Sequence, residues 1–382
     1  MKILHFFKTY YPVSLGGGIE QFIFQLSEGG FAHGVNAETL YLSPQGPARC
    51  LAVGRHYSHA SRLDLQVAST GFSLSAFKDF SELAREADIV HYHFPWPFAD
   101  VVHFATCLRK PTVVSYHSDI VRQKFLLGLY RPLMHRFLGS VDRIVVSSPN
   151  YLESSPVLAR YRDKLSVIPI GLDKDTYPQV PPEKLAFWRS VMGERFFLFV
   201  GRLCYYKGLD YLLEAAAKIT YPIAIVGVGN LEASLKAKAE RLGLTHVHFL
   251  GGLADVDKAA LLQLCYSMVF PSHLRSEAFG IALLEAAMFG KAMISCEIGT
   301  GTSYINIAGE TGLVVPPADP AALACAMTRL WGNAPRTQEM GARAQLRFEQ
   351  LFTAKEMVRG YVGVYQKVLS NGRMSALRAH RA

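Results

Sequence analysis

The sequence lacks any cluster of cysteines and any long hydrophobic run. Its six cysteines are scattered, with no CxxC pair and no cysteine–histidine cluster at zinc spacing: Cys50, Cys107, Cys204, Cys265, Cys296 and Cys325. This pattern predicts reduced thiols and argues against a disulfide framework. No stretch reaches the roughly 18 apolar residues of a membrane span, and the apolar run at Met1–Lys8 is too short for a secretion signal. We therefore expect a soluble protein of the cytoplasm.

Familiar nucleotide and metal motifs are also missing. No segment has the GxGxxG spacing of a dinucleotide site or the GxxxxGK[ST] order of a Walker loop. Two Asp-x-Asp pairs match a metal-binding pattern, but Asp255 and Asp257 begin a predicted helix, and Asp173 and Asp175 lie in a predicted linker. The sequence therefore assigns no metal and no cofactor.

Acidic residues are fewer than basic ones. The chain has 40 Lys and Arg against 31 Asp and Glu, which gives a net charge of +9. This excess predicts an anionic partner, and charge alone allows nucleic acid, a phosphorylated small molecule or an acidic membrane face. No nucleic-acid motif is present. Residues 122–143 combine Arg122, Lys124, Arg131, Arg136 and Arg143 with leucines and phenylalanines, so we expect a basic amphipathic helix that contacts a membrane, packs on the sheet, or does both.

Short β-rich runs alternate with helical stretches, which predicts parallel sheets with helices on both faces. Strands are expected in the first half at Lys2–Phe7, Ala37–Leu42, Leu65–Ser69, Asp88–Phe94, Thr112–His117, Asp142–Ser148 and Lys164–Pro169. The proline-containing segment Gly171–Lys184 interrupts the alternation and is interpreted as a linker. The predicted fold class is α/β, with Rossmann-like domains at 1–175 and 190–354 facing each other across a cleft. A terminal helix at 355–372 is expected to return to the first domain.

Ligands of open parallel sheets bind beyond the carboxyl ends of the strands, where loops meet helix amino termini. Gly17 and Gly18, in the run Gly16-Gly17-Gly18, follow the first strand and precede a helix. We interpret this run as a phosphate-facing loop, with a flexible turn as the alternative. Arg202 and Lys207 occupy a similar place in the second half. A forked guanidinium and a mobile ammonium predict a diphosphate clamp, with two solvated surface charges as the alternative.

Two glutamates, Glu277 and Glu285, are separated by about 800° of helical rotation, roughly 80° off a common face. This spacing predicts that they serve neighbouring parts of one extended ligand. The amides of Phe279, Gly280 and Ile281 are expected at a helix start, where they suit phosphate or sugar oxygens. In the alternative interpretation Glu277 caps the helix and Glu285 is solvated, although an unpaired carboxylate in an apolar stretch is costly.

Three histidines lie at strand positions of the first half. His91 and His93 share one face of a strand. A metal pair there would lack further obvious ligands, so packing is the favoured interpretation. His117 ends another strand, which makes it a candidate catalytic residue.

Taken in order, these motifs resemble the retaining glycosyltransferases of family 4, which have the GT-B fold. Glu277 and Glu285 match the E-x7-E motif of that family, and the other motifs extend the resemblance over nearly the whole chain. The resemblance implies that Arg202 and Lys207 hold the donor diphosphate and stabilise the departing nucleoside diphosphate. It also implies that Glu277 binds hydroxyls of the transferred sugar and that Glu285 binds the ribose.

Further roles follow from the same resemblance. The amides of Phe279–Ile281 would contact the sugar or diphosphate, Gly17 and Gly18 would approach the phosphates, and His117 would face the donor sugar. Members of the family are thought to react with retention by attack on the same face of the sugar, without a protein nucleophile. Catalysis would then depend on charge stabilisation and orientation.

Two segments, Ser115–Val121 and Glu297–Asn306, look most like bacterial mannosyl- and rhamnosyltransferases of O-polysaccharide assembly. This likeness implies a GDP-sugar donor and a saccharide acceptor on a lipid diphosphate, at the inner face of the cytoplasmic membrane. The second segment departs from the glycine-glycine-x-x-Glu pattern found elsewhere in the family. A nucleotide-sugar epimerase of the same fold and a non-enzymatic nucleotide-sugar-binding module are the alternative functions.

Overall fold

The computed structural model describes residues 1–11, 17–46, 50–67, 70–107, 109–120 and 124–379, and the side chains of 124, 125 and 372–379 lie outside this description. Gly16 and Arg122 of the predicted segments therefore lie outside the described residues. The chain divides into two compact units, Met1–Gly171 with Ala354–Ala382, and Leu172–Thr353.

Strands and helices alternate through both units. Among the described residues, the strands are β1 (Lys2–Phe6), β2 (Asn36–Ser43), β3 (Leu51–Val53), β4 (His56–Arg62), β5 (Leu65–Val67), β6 (Thr70–Phe72), β7 (Ile89–Phe94), β8 (Thr112–Tyr116), β9 (Arg143–Val146), β10 (Leu165–Val167), β11 (Phe197–Val200), β12 (Ile223–Val226), β13 (Val247–Gly251), β14 (Ser267–Phe270), β15 (Ala292–Cys296) and β16 (Gly312–Val315). The helices are α1 (Gly18–Phe31), α2 (Ser75–Glu86), α3 (Pro97–Ala105), α4 (Lys124–Ser140), α5 (Pro149–Ser154), α6 (Pro182–Met192), α7 (Leu209–Ala216), α8 (Glu232–Arg241), α9 (Asp255–Leu264), α10 (Ile281–Met288), α11 (Gly301–Ile305), α12 (Pro320–Trp331), α13 (Ala334–Leu351) and α14 (Ala354–Ala379).

The sheet of the first unit has the order β10-β9-β8-β7-β1-β2-β4-β3. Its neighbours are parallel except β3 and β4, which pair antiparallel. Strand β1 lies in the middle of the sheet. The next strands of the chain that belong to this sheet, β2 to β4, lie on one side of β1, and the later strands β7 to β10 lie on the other. The strand predicted at Leu65–Ser69 is present over Leu65–Val67 as β5, but it pairs with β6 in a separate hairpin and not in the parallel sheet. The main sheet instead contains β4, whose buried serines and histidine gave no apolar strand pattern.

The sheet of the second unit has the order β13-β12-β11-β14-β15-β16, with every pair parallel. Numbered from the start of the unit this is 3-2-1-4-5-6, the Rossmann order, in which the chain reverses between the first and fourth strands. All residues of β11 and β12 are buried, as expected for strands that are covered on both faces. The prediction of an α/β fold with two Rossmann-like sheets is confirmed.

The segment between the two sheets differs from its prediction. Residues of the expected linker after Gly171 belong to the second unit, where Lys174–Thr176 forms a 3-10 turn and α6 begins at Pro182. A proline at the first helical position is compatible with a helix because its missing amide has no intrahelical partner there.

Helix α14 returns to the first unit, as predicted. It packs so closely on α1 that a Cβ on Gly29 would lie 2.6 Å from Val358 Cγ2. The hydroxyl of Tyr365 on α14 also hydrogen-bonds to His91 on β7, at 2.7 Å. Within the described residues, none of the helices has the length and apolar character required to span a membrane.

Candidate active site

The strand order of the second sheet reverses between β11 and β14, so the carboxyl ends of these two parallel strands lie side by side. Strand β11 leads into Gly201–Gly208, and β14 leads into Pro271–Glu277. Gly208 has a φ of +70°, and a Cβ at this position would lie 2.0 Å from the carbonyl oxygen of Pro271. Only glycine allows both this backbone conformation and this approach. The glycine therefore brings the two loops together at the place where open α/β sheets bind ligands.

Lys207 and Glu277 form an ion pair between these two loops. Lys207 Nζ lies 2.5 Å from Glu277 Oε2, and both residues are buried. The same carboxylate oxygen accepts a hydrogen bond from Ser272 Oγ at 3.0 Å. The ammonium also lies 4.6 Å from the centre of the Phe270 ring. Lys207 is thus an oriented, largely desolvated cation, which excludes the interpretation of a solvated surface charge for it.

Arg202 is placed differently from Lys207. It is exposed, and its guanidinium forms no hydrogen bond or salt bridge with any described residue. The structure therefore joins Lys207 to Glu277 and leaves the Arg202 guanidinium available for an anion.

The segment after Glu277 forms a tight entry to α10. Gly280 immediately precedes the helix with a φ of +99°, and Phe279 is buried. The amides of Phe279, Gly280 and Ile281 form no hydrogen bond with the described part of the chain, so they remain as donors for an anionic or hydroxyl ligand.

The alternative interpretation of Glu277 and the predicted helical spacing of the two glutamates were both wrong. Glu277 does not cap the helix, because its carboxylate is bonded to Lys207 and Ser272. The rotation of 800° also does not apply, because α10 covers only Ile281–Met288 and Glu277 lies in the preceding loop.

Glu285 is also held by specific partners. It is 4% exposed, and its Oε1 atom accepts a hydrogen bond from the Tyr177 hydroxyl at 2.8 Å. Lys258 Nζ lies 3.1 Å from the same oxygen. The solvated interpretation of Glu285 is therefore wrong. Tyr177, Lys258 and Ser272 could not be predicted from the sequence, because no local pattern connects these residues to the glutamates that they contact.

The segment Glu297–Asn306 adjoins this site. The Gly301 amide donates to the Ala278 carbonyl at 2.8 Å. A Cβ on Gly301 would lie 2.3 Å from the Phe279 ring. The part of the chain that departs from the family pattern thus packs against the residues that precede α10.

In the first unit, three histidines form a hydrogen-bonded row that ends at His117. His5 Nδ1 lies 3.1 Å from His93 Nε2, and His93 Nδ1 lies 3.1 Å from His117 Nε2. Desolvation lowers the pKa of His5 and of His117 to about 3. The rings are therefore neutral at physiological pH, and each carries one N–H. Because each neutral ring has one donor and one acceptor nitrogen, both hydrogen bonds of the row must point in the same direction. The tautomer of His117 therefore depends on those of its neighbours.

The histidine pair His91 and His93 lies in the same buried cluster. Ligand atoms of His5, His91 and His93 lie within 4.8 Å of one another. However, His91 Nδ1 bonds to the Tyr365 hydroxyl at 2.7 Å, and its Nε2 bonds to Ser115 Oγ at 2.8 Å. Both nitrogens of His91 are thus satisfied by hydroxyl groups, which agrees with the packing interpretation.

The glycine loop of the first unit contacts a carboxylate. Gly17 immediately precedes α1, and a Cβ there would lie 1.8 Å from Glu20 Oε2. Glu20 is buried and accepts a hydrogen bond from Thr9 Oγ1 at 2.5 Å. The Glu20 carboxylate thus lies beside the start of α1. Because a side chain at position 17 would clash with it, packing alone favours glycine there. Phosphate binding by Gly17 and Gly18 stays a prediction.

Similarity to known proteins identifies the family of this chain. Residues 16–176 match the family described as Glycosyltransferase Family 4, and residues 182–347 match Glycosyl transferases group 1. The chain is 60% identical over 354 residues to a D-rhamnosyltransferase, WbpZ, of Pseudomonas aeruginosa, which covers 93% of each chain. It is 48% identical over 371 residues to the O-antigen chain mannosyltransferase C of Escherichia coli, covering 97% of this chain and all of the relative.

The chain belongs to glycosyltransferase family 4. Solved structures support the GT-B fold of this glycosyltransferase. A sucrose-phosphate synthase from Thermosynechococcus elongatus superposes with a TM-score of 0.80 at 20% identity, over 97% of this chain and 99% of the other. Anabaena HepE, in complex with UDP and glucose, superposes with a TM-score of 0.74 at 19% identity, over 96% of this chain and all of the other.

Within its second unit, this glycosyltransferase brings together most of the residues predicted for the donor site. Lys207, Glu277 and Phe279–Ile281 lie on adjoining loops, and Glu285 follows on α10. Arg202 lies on the same loop as Lys207 without sharing its ion pair.

Proposed function

We propose that this glycosyltransferase moves a mannosyl or rhamnosyl group from a GDP-sugar to a lipid-diphosphate-linked saccharide during O-polysaccharide assembly, with retention of anomeric configuration. The two similar relatives are named a D-rhamnosyltransferase and an O-antigen mannosyltransferase. Rhamnose is the 6-deoxy form of mannose, so both names fit one pocket shape. The resemblance of Ser115–Val121 and Glu297–Asn306 to bacterial enzymes of this kind supports the choice of GDP.

The buried pair of Lys207 and Glu277 at the sheet reversal is the observation that carries the proposal. Glu277 Oε2 is engaged by Lys207 and Ser272, and its Oε1 has no hydrogen-bond partner among the described residues. This oxygen is available to accept a sugar hydroxyl. The fixed ammonium and the exposed Arg202 guanidinium supply positive charge for a diphosphate, and the free amides before α10 supply further donors.

In the proposed reaction, the acceptor hydroxyl oxygen attacks the anomeric carbon on the face from which the nucleoside diphosphate departs. The bond between the anomeric carbon and the phosphate oxygen breaks, and the acceptor proton passes to that phosphate oxygen. Lys207 and Arg202 stabilise the charge that develops on the leaving group, in a site where burial strengthens electrostatic interactions. Glu277 acts as an orienting acceptor, and the proposal requires no metal or other cofactor.

We assign acceptor binding to the first unit and propose His117 as a residue of that unit that hydrogen-bonds a sugar hydroxyl. His117 directly follows β8 and is partly exposed, whereas the rest of its row is buried. Its ring is neutral because desolvation holds the pKa at about 3. A neutral imidazole in a set tautomer suits the orientation of hydroxyl groups rather than binding of a phosphate.

Peripheral contact with an anionic membrane is part of the proposal. The carboxyl-terminal half of α4 packs inward through the buried Phe137 and Leu138, whereas Leu126 and Leu129 are 46% and 71% exposed. Arg131 is exposed beside them. Exposed leucines beside basic side chains suit a membrane face that carries a lipid-linked acceptor. The basic segment 355–382 is the alternative contact.

The test of function is transfer from GDP-mannose and GDP-rhamnose to a lipid-diphosphate-linked saccharide, with UDP-glucose as the control donor. We expect GDP release that depends on the acceptor, and a product whose anomeric configuration, measured by NMR, matches that of the donor. Inversion would contradict the mechanism. Release of an isomerised donor without acceptor would contradict transfer itself.

Membrane contact needs a separate assay. Sedimentation with vesicles that contain anionic lipid should pull down the wild type, and Leu129→Gln should weaken this binding several-fold while leaving transfer to a soluble acceptor analogue unchanged. Equal binding of both proteins would exclude this face of α4.

A further inference from the structure

The two glutamates of the E-x7-E motif are held by the same kind of arrangement. Glu277 has one oxygen engaged by the ammonium of Lys207 and by a serine hydroxyl. Glu285 has one oxygen, Oε1, engaged by the ammonium of Lys258 at 3.1 Å and by the hydroxyl of Tyr177 at 2.8 Å. In each case the second carboxylate oxygen has no hydrogen-bond partner among the described residues. The arrangement around Glu285 therefore duplicates the one around Glu277.

Glu285 and its two partners come from three separate segments. Tyr177 follows the 3-10 turn at Lys174–Thr176, Lys258 lies in the first turn of α9, and Glu285 lies within α10. The Lys258 ammonium also lies 5.6 Å from the centre of the Tyr177 ring. Three elements thus converge on one oxygen atom, which restricts the rotation of a carboxylate that is only 4% exposed.

The charge of Lys258 is maintained in this setting. Burial by itself lowers the pKa of Lys258, but the Glu285 and Asp255 carboxylates together more than compensate, and the pKa is raised above its ordinary value. The oxygen Oε1 is therefore occupied by a cation and a hydroxyl at neutral pH. A ligand hydroxyl that approaches Glu285 finds Oε2 as the acceptor that remains.

We propose that Tyr177 and Lys258 are positioning residues for the nucleotide, which hold Oε1 of Glu285 so that Oε2 accepts a ribose hydroxyl of the donor nucleoside diphosphate. This inference rests on the proposed function, which assigns Glu285 to the ribose. It extends that assignment from one acid to three residues and names the chemical group that they recognise, a ribose hydroxyl. Deoxyribonucleotides should accordingly bind more weakly.

The test measures discrimination between ribose and deoxyribose by calorimetric titration with GDP, 2′-deoxy-GDP and 3′-deoxy-GDP. The wild type should prefer GDP over at least one deoxy analogue by about tenfold or more, because a missing hydroxyl leaves a buried charged acceptor unpaired. Tyr177→Phe should reduce this preference to less than about threefold, by weakening GDP while leaving the deoxy analogue nearly unchanged. Lys258→Met should act in the same direction.

A matched control is available in the same unit. The Tyr266 hydroxyl donates to the Leu330 carbonyl at 2.7 Å, away from both glutamates. Tyr266→Phe loses a comparable hydrogen bond and should keep the wild-type preference for GDP. A role of Tyr177 in folding alone would weaken GDP and its deoxy analogues equally, and this result would overturn the inference.

The variant Glu285→Gln distinguishes a failure of the positioning role from a failure of the ribose assignment in the proposed function. If this variant and the wild type discriminate ribose equally, or if the wild type does not discriminate at all, the ribose assignment of Glu285 fails. If Glu285→Gln loses discrimination but Tyr177→Phe and Lys258→Met retain it, the ribose assignment stands and the positioning role is wrong.

Discussion

Lys207 and Glu277 allow a quantitative test of the donor site, because they are oppositely charged, 2.5 Å apart and each only 11% exposed in the side chain. Lys207→Met and Glu277→Gln each remove one charge at similar volume. Loss of one partner of a buried pair leaves an uncompensated charge and costs about 3–5 kcal/mol of unfolding free energy. The double variant leaves neither charge, so it should be less destabilised than the sum of the single variants by at least ~2 kcal/mol.

Catalysis should respond differently from stability. Loss of a fixed charge or acceptor at the leaving diphosphate lowers the transfer rate by about 100-fold or more in comparable sites. We therefore expect kcat/KM to fall in both single variants and to remain low in the double variant, even though its stability partly recovers. This separation would show that the pair is retained for its chemistry.

The measurements are urea unfolding and GDP release under the same conditions. Two of the three tryptophans, Trp188 and Trp331, lie in the second unit and only Trp96 lies in the first, so tryptophan fluorescence reports mainly on the unit that contains the pair. Lys184→Met is the control, because Lys184 pairs with Asp257 at 2.7 Å but its side chain is 40% exposed. A pair whose lysine is solvent-exposed contributes about 1 kcal/mol or less. Additive destabilisation in the double variant, or wild-type transfer by Lys207→Met, would refute the reasoning.

Three further predictions concern the framework of the site. Gly208→Ala should destabilise the second unit by more than about 3 kcal/mol, because it combines strain at positive φ with a clash on the Pro271 carbonyl. The control is Gly193→Ala, at a φ of +77° with no atom within 4 Å, which should cost about 1–2 kcal/mol. Similar losses of stability in thermal unfolding of the two variants would contradict this account. Burial holds the pKa of His5 at about 3 and that of His93 well below its ordinary value. The unfolded chain therefore binds more protons below pH 6.5, and urea unfolding of the first unit should show a loss of about 2 kcal/mol per buried histidine between pH 7 and pH 5. Transfer should also continue undiminished after exhaustive treatment with EDTA, and loss of activity that is restored by a divalent cation would show that the site needs a metal.

The alternation in the sequence predicted a Rossmann-like sheet in the second unit, whose central strands are continuous apolar runs that are buried on both faces. It failed for β4, where His56, Ser58 and Ser61 are buried without an apolar alternation. The His56 ring instead finds partners in the Tyr10 hydroxyl and Glu28, 2.7 Å and 2.6 Å away. A strand whose buried face is polar can be identified only when the distant residues that satisfy it are known.

Some contacts of the candidate site could likewise be predicted from the sequence, and others could not. Lys207 and Glu277 are 70 residues apart, yet their meeting follows from sequence because each lies beyond a strand end at the sheet reversal. Tyr177 and Lys258 lie 108 and 27 residues from Glu285 and follow no such rule. Glu285 itself signalled that partners were required, since a carboxylate within an apolar helix is costly when unpaired. The requirement was visible in the sequence, but the identity of the partners was not.

The donor contacts proposed for Glu277 and Glu285 would account for the binding of a nucleotide-sugar but not for the choice among nucleotide-sugars. Ribose hydroxyls and hexose hydroxyls occur in most nucleotide-sugars, so acceptors fixed at Glu277 and Glu285 distinguish them poorly. The segment around Gly301 packs directly on Ala278 and Phe279, and it is also where the chain departs from the glycine-glycine-x-x-Glu pattern. A change of residue size there displaces the loop that carries the free amides before α10. We therefore expect donor choice to depend more on Glu297–Thr302 than on either glutamate.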